Sequence, residues 1–182
     1  MNRRRNWSVR PRVVFDYNTL IQAIAFHGPA AQCLAEVEAG RVELFISRPV
    51  LAEVRRVLAY PDIVAISPSM TPERIGAFLQ RLRFRGTFIR NIPHAMDYPR
   101  DPADEPYINL AIAVEADYLV TRDKDLLSLM TSHLTICRQL RRRAPSLRII
   151  APGVFLDALV QPRDKRPVGR TRTQHVLILF GR

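Results

Sequence analysis

The chain has 182 residues, 47% of them hydrophobic and 25% charged, with a formal net charge of +11. This composition suits one soluble globular domain with a substantial core, and no apolar run approaches the roughly 20 residues of a membrane-spanning helix. The only cysteines, Cys33 and Cys137, are far apart; they argue against a zinc motif and read as reduced thiols of a cytoplasmic protein.

The positive charge is uneven. Residues 1–12 hold five arginines and no acid, and residues 161–182 hold six Lys or Arg against one Asp. The opening MNRRRNWSVRPR leads into a strand-like segment rather than an apolar signal region, so no export is expected. The pattern predicts a basic N-terminal extension over 1–11, a domain over 12–160 and a basic C-terminal tail over 161–182. The tail is expected to project, although its apolar stretch 175–180 could dock.

In chain order, 12–16 is expected to be a first buried strand. Asn18 is expected to cap a helix over 19–26. Gly28 and Pro29 interrupt the chain before a helix over 30–39, stopped by Gly40. A second strand is expected over 42–46. Ser47 is expected to cap a helix running from Pro49 to about Ala59, with Val50, Leu51, Val54, Val57 and Leu58 as its apolar stripe and Glu53 beside it; Tyr60 and Pro61 end it. Thr71, Pro72 and Glu73 open a helix to about Arg83, and 87–92 reads as a strand. Asp104 precedes an apolar helical run over 107–114. Then follow a strand over 116–121, a helix over 123–130, an arginine-rich connection over 131–146, a strand over 146–150 and a final helix over 152–160. Alternating strands and helices predict an α/β fold, a parallel sheet flanked by helices in three layers.

Four acids fall where strands end or helices begin: Asp16, Glu53, Asp104 and Asp123. Strand ends of an open parallel sheet face one crevice, where ligands bind. Carboxylates gathered there repel one another and call for protonation or a divalent cation. Each acid also has a plainer reading. Asp16 could cap a helix, but Asn18 is expected to do so, which leaves Asp16 without a structural task. Glu53 could pair with Arg56 three residues on. Asp101 before Pro102 reads as a turn residue, Asp104 occupies a cap position, and Asp123 and Asp125 suit a helix N-terminus. The functional signal is that several helix openings all carry acids that could converge.

The order VVFDYNTL, SRPVLAEVRRVLAYP, DPADEPYINLAIAVEADYLVTRDKDLL and LRIIAPGVFLDAL resembles the PIN-domain nucleases over about residues 12–160. It is most like their bacterial branch of toxins from toxin–antitoxin pairs. The stretch DPADE with ADYLVTRDKDLL is the specific part of the match. The resemblance implies metal and catalytic roles for Asp16, Glu53, Asp104 and Asp123, with Asn18, Asp101, Glu105, Thr121 and Asp125 in support. It implies cleavage of RNA with Mg2+ or Mn2+, which would hold the scissile phosphate and lower the pKa of a bound water. A small inhibitory antitoxin protein is the implied partner, and a homodimer is left open. Tyr17 departs from the family's small hydroxyl residue, and the 131–146 connection is longer than expected. On that connection Arg138, Arg141, Arg142 and Arg143 are expected to contact the RNA backbone.

Two other readings compete. One is a non-catalytic RNA-binding or partner-binding PIN domain. The other is a phosphatase or phosphotransferase with Asp16 as nucleophile, for which the expected second acid two residues on is replaced by Asn18. A dinucleotide-binding enzyme is disfavoured, since no G-x-G-x-x-G follows the first strand.

Overall fold

The computed structural model describes residues 10–60 and 70–160. The expected break at Pro61 and the basic segments 1–9 and 161–182, with the apolar stretch 175–180, lie outside the described residues.

Five short strands, β1 (Arg12–Phe15), β2 (Glu43–Ser47), β3 (Thr87–Ile89), β4 (Tyr118–Val120) and β5 (Arg148–Ile150), form one parallel sheet in the order β3-β2-β1-β4-β5. Val13, Val14 and Phe15 are all buried, as a central strand covered on both faces requires. The described residues also form eight helices: α1 (Tyr17–Ala25), α2 (Pro29–Glu38), α3 (Arg48–Leu58), α4 (Pro72–Arg85), α5 (Glu105–Ala113), α6 (Lys124–Thr131), α7 (Thr135–Arg143) and α8 (Pro152–Val160). The fold is the expected three-layer α/β arrangement with a parallel sheet flanked by helices.

Each helix buries an apolar stripe. On α3 the buried positions are Val50, Val54 and Leu58, one per turn. Phe155 of α8 packs edge-on against Phe15 and Tyr118, at centroid distances of 6.1 and 5.3 Å; a buried aromatic of this kind contributes about 1.5–3 kcal/mol. Gly40 ends α2 with φ of 67°, the left-handed conformation that glycine adopts without a Cβ penalty.

The strand order fixes the site. From β1 the chain moves to β2 and β3 on one side, then crosses back to β4 and β5 on the other. The sheet therefore switches direction between β1 and β4, and the carboxyl ends of these two strands open a crevice.

Three local expectations are corrected. The cap of α1 is Asp16, whose Oδ1 accepts the Thr19 N–H at 2.7 Å, and Asn18 lies inside the first turn. The helix begins directly after the strand, so the first residue beyond the strand, Asp16, occupies the cap position. Ser47 stands at the N-cap of α3, yet its hydroxyl makes no capping bond and is buried without a partner. The arginine-rich connection contains a regular helix, α7, which buries Cys137 and Leu140 with Ile136 packed beside them. That apolar stripe was the available signal, overshadowed by four arginines.

Candidate active site

Parallel pairing of β1 with β4 sets Phe15 against Val120. The next residues in register, Asp16 and Thr121, therefore meet at the crevice. Thr121 Oγ1 donates to Asp16 Oδ2, and the Asp16 N–H donates to the Val120 carbonyl at 3.2 Å. Thr121 Oγ1 also accepts the Asp123 N–H at 2.8 Å. One hydroxyl thus ties together two of the four acids, which are distant in sequence.

Asp16 is almost wholly buried, and burial raises its pKa above the ordinary carboxylate value. The hydrogen bonds from Thr121 and Thr19 oppose that rise, while the charge of Asp123 adds to it. Asp123 caps α6, with Oδ1 accepting the N–H groups of Asp125 and Leu126 at 2.7 and 3.1 Å.

Asp104 is the most perturbed carboxyl of the group that retains a free oxygen. It stands at the N-cap position of α5 but makes no capping bond, is buried, and its Oδ2 has no hydrogen-bond partner. Burial pushes its pKa up to about 7, assisted by the charges of Asp101, Asp123, Asp16 and Glu53. A carboxyl shifted by desolvation and by neighbouring acids in a crevice has the character of a functional group.

Glu53 reaches this group from α3. The Tyr107 hydroxyl donates to Glu53 Oε2 at 2.5 Å, and Arg56 lies 3.7 Å from Oε1. The plainer pairing with Arg56 is therefore present as well, but it is partly exposed and weak. Tyr107 is completely buried on α5 and stacks at a tilt with Tyr17, with ring centroids 6.5 Å apart. Sequence reasoning passed over Tyr107. Its signal was a hydroxyl in the largely apolar run 107–114, three residues after Asp104.

The supporting residues divide. Asp101 is the expected turn residue, its Oδ1 accepting the Ala103 N–H at 3.0 Å, and its charge acts on Asp104. Asn18 and Asp125 line an open depression of about 640 Å³ beside Asp123, together with Gln22, Arg122 and Lys124. Asp125 is paired with Arg100 at 2.5 Å. Glu105 turns to other partners: Oε2 accepts the Tyr98 N–H at 3.2 Å, and Oε1 lies 3.2 Å from His94 Nε2. Tyr98 is itself buried, with its hydroxyl unpartnered and its pKa pushed up to about 12 by burial.

Among the described residues, the one His, Cys, Asp and Glu trio with ligand atoms all within 4.8 Å of one another is His94, Asp97 and Glu105. The four crevice acids act on one another from a wider spacing. The repulsion that raises Asp104 also opposes their closer approach.

Of the four arginines expected to contact RNA, Arg138, Arg142 and Arg143 are exposed. Arg141 is not free for that role. Its guanidinium donates to the carbonyls of Leu129 and Ser132 at 3.2–3.3 Å, satisfying the open C-terminal end of α6.

The Tyr107 contact gives a direct prediction. Tyr107→Phe keeps the ring and removes the hydrogen bond to Glu53. A hydrogen bond to a charged group contributes about 1.5–3 kcal/mol, so nucleolytic rate should fall by roughly tenfold or more if Glu53 acts in the site. A rate equal to the parent's, measured on a variant of unchanged fold, would show that Glu53 needs no such support.

An open parallel sheet with a carboxylate crevice at its switch point defines a class of α/β proteins suited to holding a hard cation and a phosphate. The chain belongs to the PIN-domain family, whose profile, described as PIN domain, matches residues 12–125. PIN domains are generally nucleases and typically use divalent metals. No curated protein matches the chain. Among solved structures it is similar to the crystal structure of VapBC2 from Rickettsia felis bound to a DNA fragment from their promoter, at 18% identity and a TM-score of 0.47, covering 77% of this chain and 98% of that one. No described helix is long and apolar enough to cross a membrane.

Proposed function

We propose that this PIN domain is a divalent-metal-dependent endoribonuclease, and that it acts in the cytoplasm as the toxin of a toxin–antitoxin pair. The observation that carries the nuclease reading is the Asp104 carboxyl: buried, with Oδ2 unpartnered, and lying in the field of Asp16, Glu53 and Asp123. The donor set suits a hard ion. All four residues offer carboxylate oxygens, the ligands that Mg2+ and Mn2+ prefer. The toxin assignment rests on the motif resemblance, and the antitoxin partner follows from it.

In this reading Asp16, Glu53, Asp104 and Asp123 hold the cation. When bound, it supplies positive charge to the phosphoryl group and lowers the pKa of water. The chain's own residues do the rest. Thr121 fixes Asp16 and Asp123 relative to each other through one hydroxyl. Tyr107 fixes Glu53. Burial and the neighbouring acids push the Asp104 pKa up to about 7, so its carboxyl is partly protonated near neutral pH, and positive charge in the crevice would favour the deprotonated form. The phosphotransferase alternative asks Asp16 to attack a phosphate, yet the position two residues on, where such sites carry a second acid, holds Asn18.

The test is cleavage of end-labelled single-stranded RNA by the purified protein with Mg2+ or Mn2+, against the same reaction with EDTA. Internal cuts that need the ion are expected. A folded protein that binds RNA but cuts it with neither ion would favour the non-catalytic alternative.

A further inference from the structure

The depression beside Asp123 joins two elements. One wall is α1, with Asn18 and Gln22; the other is the turn from β4 into α6, with Arg122, Asp123, Lys124 and Asp125. Arg122 Nη1 donates to Gln22 Oε1 at 3.0 Å, which spans the two walls and holds the guanidinium at the depression. Its charges are not balanced alike. Asp125 is neutralised by Arg100. Asp123 spends one oxygen on two backbone N–H groups. Arg122 and Lys124 have no carboxylate within salt-bridge distance among the described residues, and both are exposed. Two unpaired cations therefore flank the acid that opens onto the crevice.

The arginines of α7 lie less favourably. Arg141 is held by the end of α6, and Arg142 and Arg143 complete the last turn of α7, which leads into the start of β5. In a parallel sheet the start of β5 is at the end opposite the carboxyl ends of β1 and β4. The depression adjoins the crevice directly, because Asp123 lines it.

We propose that this depression seats the phosphodiester next to the scissile one on the RNA strand, with Arg122 and Lys124 as its contacts. The assignment rests on the ribonuclease reading and names the part of the surface that offsets the crevice's repulsion of phosphate. Arginine and lysine contacts to phosphate confer salt-dependent affinity with little base discrimination. The neutral Asn18 and Gln22 add hydrogen-bonding capacity without adding negative charge.

The experiment measures binding of a fluorescent single-stranded RNA across a salt series with Mn2+ present, in the Asp16→Asn background so that binding is read without cleavage. Arg122→Ala with Lys124→Ala should weaken binding about tenfold at low salt and flatten the plot of log affinity against log salt by about 0.7, the contribution of one neutralised phosphate on a single strand. Arg122→Lys with Lys124→Arg should restore both, since the charge is kept. Unchanged affinity and slope in the double alanine variant overturn the assignment. So does a loss that instead follows Arg138→Ala, Arg142→Ala and Arg143→Ala, which would place the strand along α7. If the parent protein with all four acids intact neither binds nor cuts the RNA with Mn2+ while folded, the ribonuclease reading fails and this inference with it, a result distinct from the first two.

Discussion

Asp16→Asn should reduce metal-dependent RNA cleavage by about a thousandfold while the fold persists. Attraction between two unit charges in contact is about 4 kcal/mol at a partly screened protein site, and about 1.4 kcal/mol is a factor of ten in rate. Asparagine removes that charge and the acceptor of the Thr121 hydroxyl, but keeps Oδ1, the atom that caps α1 through the Thr19 N–H. The Tm should therefore fall by no more than about 4 °C, the equivalent of roughly 1 kcal/mol in a domain of this size. Glu105→Gln is the matching control, because Glu105 engages Tyr98 and His94 rather than the crevice acids, and it should retain most of the activity. Cleavage assays with Mn2+ and a thermal melt on each variant decide the matter. Full activity in Asp16→Asn, or an equal loss in Glu105→Gln, would remove the basis for the four-acid site.

The metal-free protein should lose stability as pH rises from about 4 to about 7 and regain it when Mn2+ is added above that range. The Asp104 carboxyl keeps its proton to about pH 7 in the folded chain, against an ordinary value of 3.8. Between these values the folded state binds more protons than the unfolded state, so stability is fully present below the unfolded pKa and lost through the folded one. Three pKa units set an upper bound of about 4 kcal/mol. Asp16, also raised by burial, adds in the same direction. Asp104→Asn has no charge to bury. Without metal it should melt several degrees above the parent at alkaline pH, and its Tm should change less with pH. A bound ion at a hundred times its Kd stabilises by about 2.7 kcal/mol, a gain expected for the parent and largely missing in Asp104→Asn. Thermal melts over a pH series, with and without Mn2+, give the answer; a parent whose metal-free Tm does not decline over that range contradicts the assignment.

Much of the fold was legible because its signals are local. The β-branched and aromatic run Val13 to Phe15 forms a strand whatever lies elsewhere in the chain. Thr71 before Pro72 and Glu73 opens α4 with the expected capping bond, the Arg74 N–H donating to Thr71 Oγ1. Asp123 caps α6 through groups two and three residues away. The repeat of apolar residues along α3 depends only on its own turn. Asp16, Asp104 and Asp123 could be found in the same way, as carboxylates at the ends of these local patterns, while Glu53 lies within α3 and was matched through the family resemblance.

What the local patterns could not supply was the order β3-β2-β1-β4-β5. That order is set by how the helices pack over the sheet, and it brings Asp16 beside Thr121, 105 residues later in the chain. The same packing made Asp16 both cap and crevice acid, buried Asp104 until its pKa rose, and aimed Tyr107 at Glu53. It also turned Glu105 away and gave Arg141 a structural task that its place in an arginine run had concealed. The sequence by itself determined which residues carry charge and which short stretches become strands or helices, because those choices depend on neighbours within a turn or two. Only the tertiary structure decided which charges share a crevice, how deeply each is buried and which hydroxyls hold them, because proximity across long chain separations and the desolvation that accompanies it arise from packing alone.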